Sequence, residues 1–137
     1  MKKYLIILLL MLLVFLYTLF GQQLIRQMFL DVFTGPMGNI LFFLPYIIFL
    51  LLGLALIVFA LKDKIQGKLK RFLLLTGTSA LGVFPFIILH NLTTALLSTI
   101  FKQEIEEPFF FILAVIICPI GFIVGSIGSI VLINKQK

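Results

Sequence analysis

Only a handful of side chains in this sequence can do more than pack. His90, Asn91, Thr94 and Ser98 follow one another at helical spacing, and Glu104, Glu106 and Glu107 stand immediately before Pro108. If the segments on either side of that acidic stretch are antiparallel helices, Glu106 or Glu107 returns to the depth of His90. His90, Asn91, Thr94, Glu106 and Glu107 then make a small polar site suited to a cation or polar ligand, or to a pH response built on the imidazole. The plainer alternative is a histidine hydrogen-bonded near the end of its helix. The carboxylates also have a structural use, because acidic groups favour the positive end of a helix that begins at proline. Calcium or magnesium would want more oxygen ligands than this loop offers.

Catalysis and resident metals find less support. Ser98 and His90 lie eight residues apart on one helix, without a GxSxG setting or evident oxyanion donors, so hydrolysis is not expected. The single cysteine, Cys118, belongs to no CxxC or Cys/His signature. It also sits about 15 Å inward of Pro108 at roughly 1.5 Å per helical residue, too far in depth to share an ion with His90. The expectation is no enzyme, no cofactor and no metal.

What must position these residues is a set of helices in lipid. Of the 137 residues 62% are hydrophobic, and the mean hydropathy is +1.26. That is more apolar surface than one soluble domain of this size can bury. Four uncharged runs, residues 4–20, 40–61, 72–97 and 108–133, approach or exceed the roughly twenty residues that cross a hydrocarbon core about 30 Å thick. They are continuous rather than alternating in short blocks, which sets a β-barrel aside. The expected fold class is all-α, a single-domain integral membrane four-helix bundle. Counted along a helix from Arg71, His90 falls about 28 Å across, near the outer boundary. The basic opening MKKY resembles the start of a secretory signal, but FGQQL offers no small-x-small cleavage site, so the first run reads as a retained anchor.

Orientation follows from the basic residues. Lys2, Lys3, Lys62, Lys64, Lys68, Lys70, Arg71, Lys135 and Lys137 fall on one side, against Arg26 and Lys102 on the other. Lys and Arg are retained on the cytoplasmic side, so both termini are expected there. The formal charge of +6 thus belongs to helix flanks, and no nucleic-acid motif accompanies it. Lys62, Lys64, Lys68, Lys70 and Arg71 form the densest patch and are expected to contact anionic lipid, at about 1 kcal/mol per basic residue, although topology determination explains the same charges. Residues 22–33 pair apolar positions between Gln22, Gln23, Arg26, Gln27 and Asp31, which reads as a short amphipathic extracytoplasmic helix. It either lies in the headgroup layer or extends the first span, and TGPMGN at 34–39 supplies the following turn.

Helix contacts are also written in the spacing. Ala114, Cys118, Gly121, Gly125 and Ser129 place small residues on one stripe of the fourth span, where another helix can approach closely. Thr78 and Gly82 in the third span are the expected complement. Pro45, Pro85 and Pro119 lie inside spans, remove backbone donors and are expected to kink them. Thr76, Thr78 and Ser79 form a second polar group, separated from the outer one by apolar residues 81–89. Two polar ends about a dry middle fit a gated pathway, or hydroxyls bonded to their own helix.

The stretches LKRFLLLTGTSALGVFPFIILHN and EEPFFFILAVIICPIGFIVGSIGSIVL resemble a group of small prokaryotic membrane proteins of unknown function. The likeness covers the third and fourth spans and rests on Thr-Gly, His-Asn, Glu-Pro and Cys-Pro pairs. It implies a bacterial or archaeal cytoplasmic membrane, marks His90, Asn91, Glu107, Cys118 and Pro119 for mutation, and brings no catalytic residue. The leading expectation is an accessory or helix–helix interaction subunit whose partners are membrane lipids and a second copy or another membrane protein. The alternative is a small transporter or channel using the site around His90, and the third is a holin-like pore former.

Overall fold

The computed structural model describes residues 1–28 and 36–136. Long apolar runs satisfy their backbone groups most economically within the segment, and the described residues are helical with no strand. Helix α1 (Lys2–Leu16) passes through a π-helical turn (Tyr17–Gly21) into α2 (Gln22–Met28). Helices α3 (Pro36–Lys62) and α4 (Gly67–Phe101) follow. The last helix begins as α5 (Pro108–Ile112), crosses a second π-helical turn (Leu113–Ile117) and continues as α6 (Cys118–Lys135). Among the described residues, four helices are long and apolar enough to cross a membrane: Lys2–Gly21, Phe42–Lys62, Gly67–Phe101 and Pro108–Lys135.

Three local features differ from a plain reading of hydropathy. Helix α4 starts at Gly67 instead of residue 72, so Lys68, Lys70 and Arg71 ride on its first turns and the basic connection shrinks to 63–66. Gly67 has φ +74°, and this left-handed entry is what lets so short a connection reverse the chain. Of the segment expected to be amphipathic, the helix runs on from α1 as far as Met28, while 29–33 and the first two residues of the turn at 34–39 lie outside the described residues. Helices α3 and α4 continue through Pro45 and Pro85, whereas the turn before Pro119 widens to π geometry. A proline ring clashes with the carbonyl four residues earlier, which is Val115, and a wider turn relieves that clash.

Helix α4 is central: α3 packs on one side and α6 on the other, with α1 against α3 and α6. Glycines set the close contacts. A Cβ at Gly125 would lie 2.5 Å from Thr76 Oγ1 and 2.7 Å from Thr76 N, one at Gly121 would overlap Ser79 Oγ, and one at Gly128 would meet the Phe72 ring. On the other face of α4, Gly77 meets Ile57 and the backbone of Gly53. Backbones this near gain van der Waals contact that larger residues forbid. Ala114, Cys118, Gly125 and Ser129 are buried and Gly121 is half-buried, while a Cβ at Gly82 would lie 2.9 Å from Cys118 Sγ. The expected complement is corrected at one position: Thr78 is exposed, its hydroxyl donating to Leu74 O at 2.8 Å. Two residues turn a helix by about 200°, so Thr76 and Ser79 take the place assigned to Thr78.

At the middle of the bundle Phe122 sits with its ring centroid 4.9 Å from those of both Phe15 and Phe49. Leu8, Met11, Leu56 and Leu73 are fully buried in the same core. The outside is equally apolar, with Leu13, Phe20, Leu51, Ile100 and Phe109 exposed.

Candidate functional site

Glu107 takes extended backbone geometry just before Pro108, the first residue of α5, which has no N–H to satisfy. Its carboxylate turns back and accepts from the two free donors that follow, Phe109 N at 2.6 Å and Phe110 N at 3.0 Å. From α4, His90 Nδ1 approaches the Glu107 backbone carbonyl at 2.6 Å and its carboxylate at 3.6 Å. A carbonyl only accepts, so Nδ1 carries the proton and, in the neutral ring, Nε2 is the acceptor. One turn on, Thr94 Oγ1 accepts from Glu107 N at 3.2 Å. Another turn on, Ser98 Oγ accepts from Ile105 N at 3.2 Å and lies 3.3 Å from Ile105 O. His90, Thr94 and Ser98 thus form a row on α4 that pins the backbone of 105–107.

The structure therefore brings His90, Thr94 and Glu107 together. Glu106 joins them at a pocket of about 340 Å³ also lined by Pro108 and Phe111. Asn91 is exposed on the neighbouring face of α4. The Phe111 ring lies 5.3 Å from the imidazole, closing one wall. Among the described residues no group of three or more His, Cys, Asp or Glu side chains is placed to hold a metal ion. Cys118 is buried where α6 meets Gly82. Chemically, the inward-facing polar atoms anchor a loop and cap a helix, and the exposed Glu106 leaves one carboxylate facing the pocket. Replacing Glu107 by alanine removes the cap and is expected to cost about 1–2 kcal/mol, read as a lower unfolding midpoint in detergent. Glu107→Gln keeps an acceptor oxygen and is expected to lose less.

The opposite end of the bundle holds a second polar cluster that charge counting passes over. Lys3 Nζ lies 2.7 Å from Asp63 Oδ2, and the buried Tyr4 shares its hydroxyl proton between Asp63 Oδ2 at 2.5 Å and Phe59 O at 2.9 Å. The Lys3 ammonium also stands 5.0 Å from the Phe59 ring centroid. The start of α1 is thereby latched to the end of α3. The one available signal was that Asp63 is the sole acid in a run of bases. The Lys3 and Tyr4 hydrogen bonds hold its carboxyl below the ordinary value of 3.8 despite some desolvation. A lowered folded-state pKa contributes stability above the ordinary value and loses it as pH falls through the lowered one. Acidification below about pH 4 is therefore expected to weaken the bundle, and Asp63→Asn to flatten that part of the pH profile, as followed by thermal unfolding. Around this latch Lys62, Lys64, Lys68 and Arg71 are exposed and Lys70 is half-buried.

Comparison with protein-family models, with curated proteins and with solved structures returns no match to this chain.

Proposed function

We propose that this is a multi-pass protein of a bacterial or archaeal cytoplasmic membrane, with both termini cytoplasmic and residues 22–33 on the outer side, acting as an accessory subunit that packs against lipid and other membrane helices. The observation that carries this reading is the closed centre. Phe15, Phe49 and Phe122 pack ring against ring between the two polar ends, whereas a permeation path needs a continuous hydrated or coordinating lining. At the two ends His90, Thr94 and Glu107, and Lys3 with Asp63, are engaged in holding connections and helix termini. The apolar outer surface fits hydrocarbon as solvent, and the basic residues gather at one end, as the positive-inside rule asks.

Because α4 occupies the small-residue stripe of α6, contacts with a second copy or another protein fall on the outer faces, where large apolar side chains are exposed. The reading assigns no catalytic residue or cofactor, and gives Lys62, Lys64, Lys68, Lys70 and Arg71 to the anionic headgroups. A second reading, a small transporter or channel, is favoured by the pocket beside His90 and Glu106. Ion and small-solute flux in liposomes across a pH series separates the two. Flux no greater than in empty vesicles is expected, and flux lost in His90→Ala would overturn the accessory reading.

A further inference from the structure

We infer that an apolar cavity among the four helices takes one acyl chain of a membrane phospholipid, admitted sideways between α3 and α4. The cavity, about 240 Å³, is lined by Phe15 and Thr18 from the first helix, Tyr46 and Phe49 from α3, and Ala114 and Pro119 from the last helix, with α4 closing the remaining side. It opens where the helices are irregular. The π-helical turns Tyr17–Gly21 and Leu113–Ile117 contribute directly to its wall, and Pro45 and Pro85 sit at the same level. Toward the basic end, in contrast, Gly53, Gly77, Gly121 and Gly125 bring the backbones together. The bundle is thus closely packed toward the basic end and leaves a void farther along, where α4 and the last helix still stay in contact.

A second void of about 210 Å³ adjoins the first, sharing Tyr46 and Ile87 and bounded outside by Phe42, Phe43 and Phe84. Tyr46 on α3 and Ile87 on α4 line both voids, and the route inferred for the chain runs from one to the other between these helices. Tyr46 lies sixteen residues from Lys62, about 24 Å along the helix, so the mouth opens inside a hydrocarbon core about 30 Å thick. Water is a poor occupant, because it needs two to four polar partners and the lining side chains offer only the Tyr46 hydroxyl and that of Thr18, which already donates to Phe15 O at 2.8 Å. An apolar cavity of about 150 Å³ stays dry and takes benzene, and this one is larger. A partner helix, about 10 Å across, is too thick to enter a void bounded on every helix. A flexible methylene chain fits a two-lobed apolar passage, and lipid supplies such chains at the mouth.

The inference rests on the membrane-spanning reading, and one experiment separates the two. The protein is reconstituted in phosphatidylethanolamine and phosphatidylglycerol vesicles that include a phospholipid with a diazirine on its acyl chain. Flotation reports insertion, and peptide mapping after irradiation reports where the chain lies. Labelling is expected to concentrate severalfold on 15–19, 46–49 and 114–119. It should fall severalfold in Ala114→Phe, which fills the cavity, and persist in Ile116→Phe, whose side chain is exposed. Should Ala114→Phe not fold, Val83→Phe fills the same cavity from α4. Label spread evenly over the exposed faces, or label unchanged by the filling variants, overturns the acyl-chain site alone. Protein that does not float with the vesicles overturns the membrane reading with it.

Discussion

Gly125→Leu is expected to stop α4 and α6 from closing on each other, at a cost of about 3 kcal/mol or more. The reason lies in which atoms stand opposite. A Cβ at this position would lie 2.5 Å from Thr76 Oγ1, 2.7 Å from Thr76 N and 3.0 Å from Phe72 O. Two of those three atoms are backbone, so a side chain cannot swing away and the whole of α4 must retreat. On the membrane-spanning reading that retreat has no hydrophobic compensation, because acyl chains are as apolar as the side chains they replace. Gly121 makes the instructive contrast, since its nearest neighbours are side-chain atoms of Ser79, which can change rotamer. Gly121→Ala is therefore expected to cost less than Gly125→Ala. Unfolding against SDS mole fraction, followed by circular dichroism, ranks all three. A Gly125→Leu protein as resistant as the parent would mean that the two helices do not meet at this residue.

Phe122→Ala is expected to be nearly as damaging, by about 3 kcal/mol, the low end for a buried phenylalanine. Phe122 is fully buried and its ring touches those of Phe15 and Phe49, so one truncation removes aromatic contacts to two other helices. In a membrane the transfer part of the loss is muted, and the dispersion contacts missing around the new cavity carry the effect. Ile123, next in sequence but exposed, is the control, and its alanine variant is expected to stay within about 0.5 kcal/mol of the parent. The same SDS titration reads both. Equal effects at the two positions would contradict an aromatic centre.

These contacts show how far the sequence speaks. Four long helices follow from uncharged apolar runs, because run length is a property of each segment alone. The stripe of small residues on the last helix was visible for the same reason, since spacing along one helix needs no knowledge of its neighbours. Its partner was not, because it depends on the rotation of a second helix, and moving from Thr78 to Thr76 turns the face by about 200°. The Gly53 and Gly77 contact was missed for want of knowing that α3 and α4 are neighbours. At the polar end, Glu107 before Pro108 carries a local capping signal, whereas Thr94 and Ser98 bonding the backbone of 105–107 depends on the path of the loop. The Lys3, Tyr4 and Asp63 latch joins residues some sixty positions apart. Counting Lys3 only as a basic flank hid its partner. Neither π-helical turn has a sequence signature, though Pro119 marks the neighbourhood of one.

The central claim is that these four helices cross a membrane with both termini inside, and single-cysteine labelling tests it most directly. In a Cys118→Ala background, Lys64→Cys reports the connection between α3 and α4, and Gln103→Cys the one between α4 and α5. A membrane-impermeant maleimide applied to intact cells is expected to modify the cysteine at 103, and the one at 64 only after permeabilisation. Modification of position 64 in intact cells with 103 protected, or of both sites alike, would contradict the account.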